Sequence, residues 1–394
     1  MKKTILTFLL LPLFLIAVFS SIQVDQLTQL ADPEKADAEQ LTPSKAEKQP
    51  ASVEDPIRSE RTAPSARTLT IGAIGDILIH SPVYQSAQTV SGYNFRPMLE
   101  AVKPYLQQPD ILTANQESLW GGKKLGLSGY PMFNSPQEIG EAVKDAGVDI
   151  VSTANNHSLD RHEAGQTAAL TYMDRIGMKH AGTYLNAEDA AKTEITTIRG
   201  IRIAWLSYTY GTNGVPIPEN KGYLVNLIDR DKMSRDIRRA KEEADLVVVS
   251  IHWGTEYQLL PNGEQKSIAQ FAVNEGADIL FGAHPHVLQP MEWLTSEDGH
   301  RALVIYSLGN FLSGQIGEKR QIGGVATVQV TKRTRNGRSS IALSEPSFLP
   351  TYVARNHDFK VVPLKEAGAY GLPGAENKYQ EIMSHVLSPV RRAR

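Results

Sequence analysis

The sequence predicts an α/β domain with a mixed sheet, and three observations carry that reading. Apolar, β-branched runs of strand length alternate with segments of helical period. Several of these runs are continuously apolar, as strands buried on both faces are. After about residue 320 the pattern changes to period-two alternation across an Asn-Gly pair at 336–337, which signals an antiparallel hairpin.

Two segments precede the domain. MKKTILTFLLLPLFLIAVFSSIQ sets two lysines before an apolar run from Ile5 to Phe19, followed by Ser20 and Ser21. This is the layout of a secretory signal. The run is shorter than the roughly 20 residues of a spanning helix, and Pro12 interrupts it, yet Ile22 and Val24 prolong its apolar character. Residues 1–24 therefore read as a signal peptide or an N-terminal membrane anchor. Either way the protein is expected to be exported and extracytoplasmic, secreted or membrane-anchored. Residues 25–67 are rich in Pro, Glu, Lys, Ala and Ser and lack aromatics. Burial cannot offset the entropy of ordering such a segment, so it reads as a disordered linker.

The domain is expected over 68–355. TLTIGAIGD (68–76), DILTAN (110–115), VDIVSTANNH (148–157), ADLVVVSIHWG (244–254), ADILFGAHPH (277–286) and RALVIYSLGNF (301–311) read as its strands. Residues 95–107, 137–146, 165–176, 229–244 and 265–275 read as the helices between them. Residues 356–394 are weakly patterned, end in RRAR, and read as a C-terminal extension.

Composition narrows the chemistry. The 394 residues carry 41 Lys and Arg against 43 Asp and Glu, a net charge of −2, so nothing points to nucleic acid. There is no cysteine. Disulfides, thiolate zinc sites, cysteine nucleophiles and a lipoprotein anchor are excluded, and any metal must be held by imidazole, carboxylate and amide groups.

Polar residues of those types cluster at the ends of the expected strands. Asp76 ends the first. Asn115 and Glu117 follow the second. Asn155, Asn156 and His157 follow the third, with Asp160 a turn later. His252 ends the fourth, His284 and His286 follow the fifth, and Asn310 follows the sixth. Sites in open α/β sheets form at the carboxyl ends of strands. Each residue alone also has an ordinary use: Asp76 in a turn, Asn155 and Asn156 in a cap, His252 in the core, Glu117 on a solvated loop. The pair around Pro285 is more telling. In an extended segment residues i and i+2 face one side, so two imidazoles aim the same way. The oxygen- and nitrogen-rich set suits two divalent transition metal ions, such as Mn, Zn or Fe, better than calcium.

GAIGDIL (72–78), TANQESL (113–119), STANNHSLDRHEAG (152–165), SIHWGTEY (250–257), GADILFGAHPHVLQPME (276–292) and IYSLGNFL (305–312) resemble the bacterial capsule synthesis (CapA) family, linked to poly-gamma-glutamate. That family is similar to the calcineurin-like metallophosphatases. The resemblance implies a four-layer α/β/β/α sandwich with mixed sheets and a two-metal site. It implies Asp76, Glu117, Asn156, His252, His284 and His286 as metal ligands, with Glu117 where the superfamily has a bridging aspartate. His157 would be the general acid or transition-state stabiliser, with Asp160 beside it in the catalytic group. The superfamily's opening Asp-x-His is Asp76-x-Leu78 here, so His80 is a candidate replacement ligand. Asn115, Glu256, Glu292 and Asn310 are further candidates.

The function so implied is an exported protein of poly-gamma-glutamate or capsule polymer synthesis, transport or release, with a metal-dependent, hydrolase-like site. Its expected partners are that polymer or another anionic envelope polymer, and a membrane-bound capsule synthesis complex. Two alternatives stand beside it: a metallophosphoesterase of another envelope pathway, and a non-catalytic polymer-binding or assembly component. An anionic polymer needs local positive charge. Metals could supply it, and Lys123, Lys124 and Arg161 are candidate helpers, although each reads first as a solvated loop residue.

Overall fold

The computed structural model describes residues 65–392. The signal or anchor at 1–24 and most of the linker lie outside them. Among the described residues the chain forms two mixed sheets. The first contains β1 (Ser65–Leu78), β2 (Ile111–Gln116), β3 (Ile150–Ser152) and β4 (Lys179–Ala181). The second contains β5 (Glu194–Ile198), β6 (Ile201–Thr209), β7 (Leu246–His252), β8 (Ile279–Ala283), β9 (Met291–Thr295) and β10 (Arg301–Ile305). The chain then returns to the first sheet with β11 (Asn310–Ser313), β12 (Ile322–Arg335), β13 (Arg338–Leu343), β14 (Ser347–Ala354) and β15 (Lys360–Pro363). The first sheet runs β15-β14-β12-β1-β2-β3-β4, with β11 also against β1 and β13 against β12; the second runs β5-β6-β7-β8-β10-β9. Strands β1 to β4 are mutually parallel, as are β6, β7, β8 and β10, so each sheet gathers its carboxyl ends on one edge.

Side-chain parity builds the layers. Leu69, Ile71 and Ala73 of β1 share one core with Ile203 and Trp205 of β6, Leu246 and Val248 of β7, and Ile279 and Phe281 of β8. These are alternate residues from both sheets, so the sheets pack face to face. The intervening residues face helices. Leu112, Ala114 and Val151 meet α1 (Ser81–Ser86), α2 (Arg96–Leu99), α3 (Lys103–Leu106), α4 (Glu138–Ala146) and α5 (His162–Ile176). A short α6 (Ala187–Ala190) follows β4. On the second sheet Val247, Val249, Leu280 and Val304 meet α7 (Arg230–Glu243) and α8 (Gly263–Asn274). The order is helix, sheet, sheet, helix: the four-layer α/β/β/α sandwich. Runs such as LVVVSIH are continuously apolar because both of their faces are covered.

Local chemistry sets the element ends. Asp229 accepts from Lys232 N at 2.7 Å to start α7, and Asn262 and Gln265 close a capping box on α8. Asn336 and Gly337 have φ of 52° and 75°, joining β12 to β13 in the two-residue turn that Asn-Gly favours. The single helix expected over 95–107 is two short ones. Pro97 and Pro104 each fall in a first turn, where a missing N–H costs nothing, but neither fits inside a longer helix.

The chain ends differ from expectation. Ser65, Ala66 and Arg67, read as linker, extend β1 and pair with Thr334, Arg333 and Lys332. Residues 356–394, read as an extension, include β15, paired to β14, and α9 (Ala375–Arg392). Val386, Leu387 and Val390 of α9 are buried in the core between the sheets, with Tyr379, Ile382 and Met383 partly buried against it. Three buried aliphatics at about 2 kcal/mol each make this helix a structural part of the domain. Deleting residues 375–394 is expected to lower Tm by roughly 10 °C or more, read by thermal melting; an unchanged Tm would show that α9 only covers the surface.

Candidate metal centre

At one edge of the molecule the inward-facing rows of both sheets turn from apolar to polar. On β2, Ile111 faces the inter-sheet core, and two positions on in the same row come Thr113, Asn115 and then Glu117. On β7, Leu246 and Val248 lead to His252. Asp76 reaches this row through a bulge. Ile74 and Ile77 both face the helical layer although they are three residues apart. The register of β1 shifts against β2 between Ile74 and Asp76, which turns Asp76 inward. Gly75 permits this: a Cβ there would lie 1.9 Å from Gly309 O.

The inward groups meet. Asn115 Nδ2 donates to Asp76 Oδ1 at 2.8 Å and approaches Glu117 Oε2 and His252 Nδ1, both at 3.4 Å. Asp76 Oδ2 lies 3.0 Å from His286 Nδ1, so a carboxylate orients that ring. His286 Nε2 and His252 Nε2 then stand 3.7 and 3.6 Å from Glu117 Oε1. Those distances are too long for hydrogen bonds. Two ligands of one tetrahedral ion, each about 2.1 Å away, sit about 3.4 Å apart. His252 Nε2 is also 2.9 Å from Asn156 Oδ1.

The fit of this set to a cation rests on its orphan atoms. Glu117 Oε1 and His284 Nδ1 are buried with no hydrogen-bond partner. Buried polar atoms are normally paired. Ligand atoms of Glu117, His284 and His286 lie within 4.8 Å of one another, the group among the described residues placed to hold an ion. Burial, reinforced by the Asp76 and Glu256 carboxylates, holds the Glu117 carboxyl well above its usual range. Burial brings His284 down to about 3 and His80 to about 4. Burial, then the neighbouring His284 and His286, pushes His252 well below its ordinary value. His252 and His284 are thus kept neutral, as ligands must be.

A pH prediction follows from the histidines. Their folded pKa values are depressed, so the stability they contribute is present above 6.5 and is lost as pH falls toward about 3 for His284 and about 4 for His80. The Tm of the metal-free protein should fall below pH 6.5, because the three depressed histidines outweigh the single raised carboxyl of Glu117, which titrates with the opposite sign, and a Tm flat from pH 7 to 4.5 would contradict this.

The pair at 284–286 is not extended. It follows β8 in a bend, with φ of 98° at His284 and 57° at His286. Strain of this kind in non-glycine residues concentrates at functional sites. The two rings still share the site, 5.9 Å apart, but the turn aims them rather than strand alternation. Tyr257 N donates to Pro285 O at 2.8 Å and fixes that turn.

His157 and Asp160 form a second group. His157 Nδ1 is 2.7 Å from Asp160 Oδ2, and Phe133 N donates to the same oxygen at 2.5 Å. Asn155, whose Oδ1 accepts from His157 N at 3.0 Å, shapes the loop instead of facing the cluster. His80 is not in the ligand group. Its Nδ1 lies 3.0 Å from Leu78 O and 3.2 Å from Gly314 N, and its ring packs edge-on to Phe133. Asn310 pairs in register with Asp76, but its Nδ2 donates to Gln315 Oε1 and Arg320 O. Glu292 accepts from Tyr306 Oη at 3.0 Å on β9, outside the cluster. Glu256 is exposed and acts on Glu117 through its charge. Lys123, which lies over the Tyr93 ring, and Lys124 begin a short turn at 123–125, away from the cluster.

Sequence reasoning missed three neighbours. Tyr210 packs 4.7 Å from the His284 ring and stacks at 6.2 Å on His252. Asn213 Oδ1 accepts from Asn156 Nδ2 at 3.2 Å, and its Nδ2 is 3.4 Å from His157 Nδ1. Phe133 stands 4.7 Å from His157. Tyr210 follows β6, a strand the sequence reading also missed, and position after a strand is the signal that would have found it.

Known proteins resemble this chain in the same region. The model of the bacterial capsule synthesis protein PGA_cap matches residues 70–315. The capsule biosynthesis protein CapA of Bacillus anthracis is 30% identical over 272 residues, 66% of this chain and 64% of that protein. The PGA biosynthesis protein CapA of Bacillus subtilis is 32% identical over 177 residues, 44% of this chain and 45% of that one. This chain thus spans under two thirds of either relative. A novel phosphatase of Mycoplasma pneumoniae matches with a TM-score of 0.44 and 13% identity, over 73% of this chain and 94% of the other. With its motif segments and buried cluster falling inside the matched span, the chain belongs to the bacterial capsule synthesis PGA_cap family.

Proposed function

We propose that this protein acts on an anionic polymer of the cell envelope, poly-gamma-glutamate or a related capsule polymer, as a metal-dependent hydrolase located outside the cytoplasm. The observation that carries the chemistry is the unpartnered Glu117 Oε1 beside His252, His284 and His286, the first two of which burial keeps neutral. The family carries the biology, and an envelope location fits it. Among the described residues no helix is long and apolar enough to cross a membrane.

Glu117, His284 and His286 would hold one ion. His252, Asn156 and Asp76 are the groups available to a second. Bound divalent ions supply Lewis acidity and make water acidic enough to attack at neutral pH. The protein's own contribution is positional. Asp76 fixes the His286 ring and Asn115 ties Asp76 to Glu117 and His252. Asp160 holds His157 through Nδ1, leaving Nε2 to give a proton to a leaving group or hold an oxyanion. Phe133 packs edge-on against the His157 ring and Tyr210 at a tilt against the His284 ring, which limits water beside both.

A test is to give the manganese- or zinc-loaded protein γ-linked glutamate oligomers and phosphoester substrates. Turnover that falls about 100-fold or more in His157→Asn, with metal content kept, supports the reading. Turnover of neither class, with metal bound, would favour the alternative of a binding or assembly component.

A further inference from the structure

Three guanidinium groups lie one neighbour away from residues of this centre, and none has a carboxylate partner within salt-bridge distance among the described residues. Arg161 follows Asp160, and its Nη1 donates to Asp160 O at 3.1 Å while Nη2 donates to Ser128 Oγ. Arg355 donates from Nη1 to Gly314 O and to Gln315 O at 3.3 Å, and lies over the Phe359 ring. Gly314 N is the atom that meets His80. Arg320 lies 4.8 Å over the Tyr257 ring, and Tyr257 packs 6.2 Å from His286. All three side chains are half-buried. Each adjoins the centre through one neighbour, Arg161 through Asp160 beside His157, Arg355 through Gly314 beside His80 and Arg320 through Tyr257 beside His286, and His80 itself senses His286, His157 and Arg355 electrostatically.

Charges out of bulk water are normally paired. Elsewhere in the chain Arg199 pairs with Asp110, Arg238 with Glu275, and Lys241 with Asp278. Here neutral carbonyls, a hydroxyl and aromatic faces position the guanidiniums and leave them without an ion-pair partner among the described residues. Planar forks held in this way are suited to carboxylate or phosphate oxygens. The acidic groups of the centre make no ion pair with them: Asp76 is turned to His286 and Asn115, Asp160 to His157 and Phe133, and Glu256 meets Arg320 only through the Tyr257 side chain that both approach.

We propose that Arg161, Arg355 and Arg320 form an anion-binding rim that takes oxyanions spaced along a polyanionic chain and lays that chain across the metal centre. This rests on the reading of the centre as one that acts on an envelope polymer, and it assigns the residues that recognise the polymer's charge. The shared chemistry is a repeated oxyanion, carboxylate or phosphate. Tyr257, 45% exposed and in contact with both Arg320 and the His286 ring, would link rim to centre.

The test uses the full chain, metal-loaded, with a fluorescent γ-linked glutamate oligomer and with inorganic polyphosphate as probes. Binding is followed by anisotropy at low and at physiological salt, with metal content measured on the same samples. Each of Arg161→Gln, Arg320→Gln and Arg355→Gln should weaken binding about tenfold, flatten the salt dependence and leave metal content unchanged. Arg→Lys at the same positions should restore part of the loss, which separates lost charge from disturbed folding. The tighter probe identifies the source as polycarboxylate or polyphosphate, and either supports the rim. Wild-type protein that holds metal but binds neither polyanion, or binds equally well without the three arginines, would overturn the rim alone. Wild-type protein that holds no metal would instead defeat the reading of the centre.

Discussion

Gly75→Ala is expected to be the most damaging single-methyl change in the chain. A Cβ at this position would lie 1.9 Å from Gly309 O and 2.9 Å from Leu308 O. Both obstacles are backbone, so no side chain can swing away. Relief requires β1 and β11 to separate, which breaks the Asp76 N to Gly309 O bond of 2.9 Å and the bulge that turns Asp76 inward. The expected loss is about 4 kcal/mol or more, with the protein insoluble or unfolded at 37 °C. Gly263→Ala is the control. It sits in the first turn of α8 with no atom within 4 Å of its added methyl, and alanine is the better helix former, so it should be neutral or mildly stabilising. Urea melts of both variants check the pair. Near-native stability of Gly75→Ala would mean that the two strands do not approach as described.

Glu117→Gln should stabilise the metal-free protein while abolishing its metal binding. The carboxyl is fully buried, one oxygen has no partner, and Asp76 adds like charge, so its folded pKa is well above the ordinary 4.5. A raised folded pKa contributes stability that is complete below 4.5 and drains away as pH rises toward the folded value. The cost grows by about 1.4 kcal/mol for each pH unit in that window. Glutamine keeps the shape and removes the titration. The variant's Tm should therefore match wild type near pH 4.5 and exceed it increasingly toward pH 8, while metal affinity falls about 100-fold or more. Stability held down at a site by what the site must bind is a familiar trade-off. A Glu117→Gln Tm below wild type at pH 8, both free of metal, would show that the carboxylate is structurally paired instead.

Much of this centre is legible in the sequence because strand ends and period-two alternation are local facts. Asp76, Asn115, Glu117 and His252 each terminate an apolar run, and the inward rows of β2 and β7 carry them into one cluster. The histidine pair is legible by residue type but not by geometry. Positive φ at His284 and His286 is set by the turn and by Tyr257, tertiary facts that spacing does not encode. His80 illustrates the same limit: its distance from Asp76 along the chain suits a ligand, yet its Nδ1 meets backbone groups of Leu78 and Gly314.

The fold divides similarly. The buried parallel strands and the Asn-Gly hairpin follow from pattern. β6 was missed although it is apolar and central, because it enters through Arg199-Gly200, a tight turn with φ of 50° and 75° that lacks the usual asparagine or aspartate. α9 was missed because only one stripe of it, Val386, Leu387 and Val390, is buried and Pro389 lies within it. The partition into two stacked sheets is a long-range property; alternate residues of β6, β7 and β8 are apolar on both faces, and neither face announces its neighbour.

The measurement that bears most directly on the account is the metal content of the purified protein after exposure to manganese, zinc and iron, beside a Glu117→Gln, His284→Ala double variant. The account predicts about one to two equivalents of transition metal in wild type and near none in the folded variant. Wild-type protein that binds no more metal than the variant would contradict it.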